Sequence, residues 1–283
     1  LPQTNADDIR VAGRCGGCDL ARRSVLRTAQ SLPFKHKVTE LDQRRSHPAG
    51  VDGFHLDGDG SLLLSLMLDA TLPGIGAVDD ADIVRFTPTS LGTTTAGSFA
   101  MVLDGSDVGL DAIGSENIDG SGRTPDGRLL VSVAGSFSAG GVSGSGEDIF
   151  RFTAATLGET TAGSWSLYFD GSDIALDTSA NEDTDGFWVD PATGTLYLGS
   201  EDFFSAGVGF GGDRNDLYVC APGSLGEETT CTLGLFWDAG AHGLSGGNVR
   251  GFTLAPAGVA GAHALDPTAD DGSTLHLPLV AAP

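Results

Sequence analysis

The feature that most constrains this chain is an internal repeat of about 66 residues. Asp104-Gly-Ser-Asp-Val-Gly-Leu110 returns 66 residues later as Asp170-Gly-Ser-Asp-Ile-Ala-Leu176. Ile83-Val-Arg-Phe86 returns as Ile149-Phe-Arg-Phe152 and, 68 residues further, as Leu217-Tyr-Val-Cys220. Ser90-Leu-Gly92, Thr156-Leu-Gly158 and Ser224-Leu-Gly226 keep the same spacings. So do Ser98–Leu103, Ser164–Phe169 and Thr232–Trp237. Several independent anchors agree on one period, which excludes chance. A unit of this size is one supersecondary structure that cannot cover its own faces, so it must stack on its neighbours.

Each unit reads as four short antiparallel strands. In the third copy, Gly186–Val189 and Thr195–Leu198 flank a turn at Pro191–Gly194. A Gly-rich loop at 199–213 leads to Asp216–Val219, and Leu233–Trp237 closes the unit. Runs of β-branched and aromatic residues between Gly, Pro, Asn and Asp clusters are strand signals, and no long helical period interrupts them. Glycine at 43 of 283 residues fits many short elements joined by tight turns. The expected fold class is all-β, a β-propeller of four blades, or five if residues 241–262 add one. Blades are expected at 51–117, 118–183 and 184–247. A composite closing blade would take outer strands from 1–50, around Ile9–Ala12 and Leu32–Thr39, and inner strands from 248–283, including His263–Asp266 and Thr274–Leu277. Arg22–Arg27 reads alternatively as a short helix.

Charge narrows the partners. Residues 1–50 hold nine of the fifteen basic residues and balance at +4, whereas 51–283 carry −27. Such a field repels nucleic acid and anionic lipid, and favours cations and hydration. No run approaches 18 apolar residues, so no helical membrane span is expected. Cys220 and Cys231 flank a Gly-rich turn between two strand-like runs, where a disulfide is easily made. Cys15 and Cys18 form a C-x-x-C, read as a second local disulfide, with four-cysteine zinc as the alternative. Disulfides place the chain in an oxidising compartment, extracellular or at the cell surface.

The run Ser164-Trp-Ser-Leu-Tyr-Phe-Asp-Gly-Ser-Asp173 resembles the tandem propeller-like repeats of large secreted or surface-anchored bacterial proteins, and His276–Val280 is similar to the tail of such exported chains. The resemblance covers residues 51–240. It implies export and a propeller-type fold, and it brings no catalytic residues with it.

Asp52, Asp119 and Asp185 occupy one repeat position, each just before a glycine that opens an innermost strand. Around a propeller axis these carboxylates would form a ring. Either a hard cation such as calcium sits among them, or each caps its own strand. Arg250 stands at the matching place in Asn248–Phe252 and would turn the ring into an ion-paired plug. Asp104, Asp107, Asp170 and Asp173 read as Asx turns with a cation as the alternative. Glu116 and Glu182 recur beside Asp119 and Asp185, and paired channel carboxylates are what a glycosidase needs. Gly243-Leu-Ser245-Gly-Gly247 matches the serine-hydrolase elbow, with His242 and His263 near it, in β-rich surroundings that lack the strand–turn–helix context. Among the six histidines, His55 falls on the first inner strand, either buried and hydrogen-bonded or facing a channel. Trp165, Trp188 and Trp237 read mainly as core between blades, with one such ring at a channel mouth as a sugar-stacking platform.

The expectation is therefore a secreted, monomeric binding module for an extracellular carbohydrate or protein, with calcium as a stabilising ion. Asp52, His55 and Trp188 would be its ligand-facing residues, and the loops 135–147 and 199–213 its contact surface. The alternative is an extracellular glycosidase or esterase working through Glu116, Asp119, Glu182 and Asp185.

Overall fold

The computed structural model describes residues 9–14, 50–90, 95–110, 116–177, 182–206, 209–242 and 248–254. Strand β1 (Ile9–Arg14) comes first. The first unit then holds β2 (Val51–Leu56), β3 (Leu62–Leu66), β4 (Ala70–Leu72), β5 (Gly76–Val78), β6 (Ile83–Ser90) and β7 (Ala96–Leu103). The second repeats this as β8 (Ile118–Arg123), β9 (Leu129–Val133), β10 (Phe137–Ala139), β11 (Val142–Gly144), β12 (Ile149–Thr156) and β13 (Ala162–Phe169). The third is β14 (Thr184–Val189), β15 (Leu196–Ser200), β16 (Phe204–Ala206), β17 (Phe210–Gly212), β18 (Leu217–Ser224) and β19 (Thr230–Trp237). A 3-10 turn follows the last strand of each unit, and β20 (Asn248–Leu254) comes last among the described residues. The protein is all-β.

Each unit forms a four-stranded antiparallel sheet, in the orders β2-β3-β6-β7, β8-β9-β12-β13 and β14-β15-β18-β19. The second strand explains why sheets must stack. Leu129-Leu-Val-Ser-Val133 is buried at every residue, as is Leu196-Tyr-Leu-Gly-Ser200, so both faces of the sheet are dry there. The apolar clusters accordingly straddle units. Leu63, Ile83 and Leu103 of the first sheet pack with Val131, Phe150 and Trp165 of the second. Tyr168 and Phe169 of the second join Phe187, Leu198 and Tyr218 of the third.

The stretches 135–147 and 199–213, expected as loops, instead carry the hairpins β10–β11 and β16–β17, and β4–β5 is their counterpart in the first unit. Glycine density suggested loops, but a buried aromatic anchors each of the two. Phe137 stacks on Phe150 with centroids 3.8 Å apart, and Phe204 on Tyr218 at 4.3 Å. Gly140 and Gly141, both at positive φ, make the two-residue reversal that a tight hairpin requires.

Ile9–Arg14, expected at the outer edge of a closing unit, pairs directly with β20. Its partner register, Val11 opposite Phe252, corresponds to that of Leu198 opposite Phe187 between β15 and β14. Residues 32–39, 22–27, 263–266 and 274–277 lie outside the described residues.

The first strands meet one another. β2 lies against β8 and β20, and β14 lies against the same two. Glycine makes this approach possible. A Cβ on Gly53 would stand 2.5 Å from the Asp119 carbonyl oxygen, and one on Gly122 would stand 2.6 Å from the Phe187 ring. Gly122→Ala is therefore expected to lower stability by about 1–3 kcal/mol through overpacking. Gly58→Ala, whose Cβ would meet nothing within 4 Å, should change little. Urea titrations of the two variants check this, and equal effects would contradict it.

Candidate functional site

The repeat position of Asp52, Asp119 and Asp185 has a specific backbone geometry. In β14, Thr184 pairs with Ser200 and Gly186 with Gly199, so Asp185 is an extra residue in the ladder register. Asp119 is skipped between Ile118 and Gly120 in the same way, and the β2 ladder shifts between Val51 and Phe54. On β20, Val249 and Gly251 face consecutive residues of β1, which leaves Arg250 as the extra residue. A β-bulge bends the strand and re-aims one side chain, and here it falls at the same place in β2, β8, β14 and β20.

The three aspartates are buried, and their charges are felt together. Asp119 is 1% exposed. Its carboxyl is pushed well above the usual carboxylate range, first by burial and then by Asp183, Asp185 and Asp52. Its Oδ1 accepts a hydrogen bond from Ser132 Oγ at 2.7 Å. Its Oδ2 has no hydrogen-bond partner. Among the described residues, no group of three or more His, Cys, Asp or Glu is arranged to hold a metal ion. The acids share a field without converging on a coordination set, and that is a poor fit to calcium, which takes six to eight oxygens.

Glu116 and Glu182 have a clear local role. Glu116 Oε1 accepts the Ser138 backbone N–H at 3.0 Å, and Glu182 Oε1 accepts that of Ser205 at 2.8 Å. Each carboxylate, just ahead of a first strand, tethers the small hairpin of the unit which that strand opens.

A second set, Asp82, Asp148 and Asp216, was not singled out from the sequence. In each, Oδ2 accepts an N–H three residues upstream (Asp79, Ser145, Asp213) and Oδ1 accepts one just past the fourth strand (Gly105, Gly171, Ala239), all at 2.9–3.0 Å. Burial pushes the carboxyls of Asp82 and Asp148 up to about 6 despite these bonds. The available signal was an Asp directly before the third strand of every copy.

The Asp-Gly-Ser-Asp motif divides its labour. Its first acid makes the expected Asx turn: Asp104 Oδ1 accepts from Ser106 Oγ at 2.7 Å, and Asp170 Oδ1 from Ser172 Oγ at 2.6 Å. Its second acid reaches the next unit. Asp107 Oδ2 accepts the Thr161 N–H at 2.8 Å, and Asp173 Oδ2 accepts that of Thr229 at 2.6 Å. Thr161 Oγ1 and Thr229 Oγ1 in turn accept the backbone N–H of Asp104 and Asp170. The bridges Leu103–Gly158 and Phe169–Gly226 complete a latch between consecutive units. In the third copy the latching position is Ala241.

Asp52, His55 and Trp188, expected to face a ligand, are all buried. Trp188 packs on Tyr197 with centroids 5.5 Å apart. His55 Nε2 lies 3.7 Å from Asp57 Oδ1, and burial, opposed by Asp57 and reinforced by Arg123, pulls its pKa down to about 4. Trp165 and Trp237 are also buried, and His242 stacks on Trp237. Cys220 and Cys231 form a disulfide with Cα atoms 5.1 Å apart. Cys15, Cys18, Ser245 and His263 lie outside the described residues.

An open cleft of about 900 Å³ lies where the second and third units meet. The segment Val142–Asp148 forms one side, and Asp170, Asp177, Asp183 and Glu227 also line it. Glu147 has its carboxyl raised, first by burial and then by Asp177, Asp170 and Glu182. Part of the expected contact stretch 135–147 therefore lines a strongly acidic surface.

Compared with known proteins, the chain matches no family model, no curated protein and no solved structure. Function must be argued from the geometry.

If the motif's second acid couples consecutive sheets, Asp173→Ala should cost about 1.5–3 kcal/mol, the range for hydrogen bonds to charged groups. Combined with Thr229→Pro, which removes the donated N–H together with the Oγ1 bonds to Asp170 and Gly226, the two losses should be less than additive in a double-mutant cycle, because the bond they share is lost only once. Additive losses would show that the pair does not interact.

Proposed function

We propose that this chain is an exported binding module built as a four-unit β-propeller, closed by strands from both chain ends. The cyclic contacts of the first strands support closure: β2 touches β8 and β20, and β14 touches β8 and β20. The pairing of β1 with β20 supports a fourth sheet begun by one strand from each end. The Cys220–Cys231 disulfide is in keeping with an oxidising, extracellular compartment.

The observation that carries the binding reading is the acidic cleft at the junction of the second and third units. Many of the repeat's other carboxylates are occupied by backbone donors: Glu116 and Glu182 by hairpins, Asp82, Asp148 and Asp216 by turns, Asp107 and Asp173 by neighbouring units. These roles are architectural, so the hydrolase alternative gains no support from Glu116 and Glu182. The cleft offers Glu147, Asp177 and Glu227 together with serine hydroxyls, and its lining among the described residues holds no aromatic ring. With carboxylates and hydroxyls rather than stacking rings among its described lining, the face suits a basic segment of a protein partner better than a neutral carbohydrate.

A Glu147→Gln/Asp177→Asn variant should bind a lysine-rich test peptide at least about tenfold more weakly, the equivalent of 1.4 kcal/mol. The wild-type affinity should fall steeply with salt, because the attraction is between charges. Surface plasmon resonance at two ionic strengths reads both effects. Binding of neutral glycans unaffected by the double substitution would overturn the reading.

A further inference from the structure

The four first strands use one packing rule with one departure. Two residues beyond the bulge stand Phe54, Ser121, Phe187 and Phe252, and three beyond it His55, Gly122, Trp188 and Thr253. Phe187 of the third unit lies against Gly120 and Gly122 of the second, and Phe54 of the first lies against Gly251 on β20. Phe252 on β20 shares an apolar cluster with Trp188 of the third unit. At the first junction Ser121 holds that place on β8, and Gly53 of β2 lies against the backbone of Asp119 and Gly120. Where the other junctions place a phenylalanine ring, this one has a hydroxyl and an imidazole.

The polar exchange is buried and only partly satisfied. His55 is 8% exposed and Ser121 2% exposed. Neither His55 Nδ1 nor Ser121 Oγ has a hydrogen-bond partner. The charged groups around the imidazole come from three strands. Asp57, just past β2, lies 3.7 Å from Nε2. Arg123, two residues from Ser121 on β8, grips Asp57 through Nε at 2.5 Å and Nη2 at 3.0 Å. Arg85 of β6 adds a bond to Asp57 at 3.3 Å. Asp57 is therefore already shared by two guanidinium groups, and a charged imidazole would be a third cation on one carboxylate at the contact between sheets.

We propose that this junction is an acid-sensitive seam: uptake of one proton by His55 loosens the contact between the first and second sheets and leaves the other junctions closed. The sign follows from the direction of titration. A histidine held neutral in the closed state and free to charge in the open one favours opening as pH falls. The contribution begins near the ordinary histidine value and is complete near pH 4, where His55 itself titrates. Asp82 and Asp148 act oppositely, because carboxyls raised to about 6 stabilise the folded chain as pH falls. A pH effect confined to one junction therefore separates the seam from general acid behaviour.

Hydrogen exchange read by mass spectrometry at pH 7 and pH 4, corrected for intrinsic rates, tests this. The amides of β2 and β8 should exchange about a hundredfold faster at pH 4, given a shift of about 2.5 units between open and closed states at a factor of ten per unit. Those of β14 and β15 should not accelerate. In His55→Gln the acceleration should disappear. Equal acceleration at β14, or its persistence in the variant, would overturn the proposal. An NMR titration of the His55 ring in the unaltered protein gives a second reading. Its transition should fall near pH 4 together with the opening, and a transition near 6.5 without opening would refute the seam.

Discussion

A four-stranded sheet whose second strand is apolar on both faces cannot be dried by its own unit. That constraint governs the rest of this structure. β9 and β15 are buried along their whole length, so the second and third sheets must each be covered on both faces. The first strands then come close enough that a side chain at Gly53 or Gly122 would meet backbone or an aromatic ring. Close stacking also brings turn amides to the joins, where they need side-chain acceptors. The carboxylates of Asp82, Asp148 and Asp216 within units, and of Asp107 and Asp173 between them, accept those donors. Part of the strong negative charge is thus architectural, with acids serving as acceptors for the amides of turns.

The repeat period made the all-β class and the four-strand unit legible, because several anchors recur at one spacing and strand signals lie between them. Position carried further than role. The alignment of Asp52, Asp119 and Asp185 with Arg250 found the four bulged residues, yet the sequence does not say that a bulge places them. The recurrence of Glu116 and Glu182 was equally visible, but a carboxylate beside an inner strand looks the same whether it faces a substrate or a hairpin amide. The hairpins themselves were hidden by glycine-rich sequence: strands of three residues are too short to show a period, and only the buried Phe137 and Phe204 betray two of them. Asp82, Asp148 and Asp216 went unremarked because one acid before a strand carries no signal until its two donors are seen.

Departures from the repeat are as informative as the repeat. Ala241 removes the latching acid after the third sheet, at the join that β20 and β1 follow. Ser121 stands where the other three first strands carry phenylalanine, and His55 brings an ionisable ring to the first junction. The acidic cleft lies at the second junction, where Glu147, Asp177 and Glu227 gather. The units share one architecture, and their junctions differ in chemistry, which is where a repeat protein can acquire binding and responsiveness without altering its scaffold.

The account depends most on the first strands meeting around a common centre, so that the earliest full unit touches the last described strand. Cysteines at positions 54 and 251 test that contact, in a chain whose Cys15 and Cys18 are replaced by serine. The backbone of Phe54 lies 3.3 Å from where a Gly251 side chain would begin. Mild oxidation should close an intramolecular bond in the folded monomer, seen as one new cross-linked peptide joining β2 to β20. Cross-links found only between separate molecules, or none at all, would contradict a closed ring.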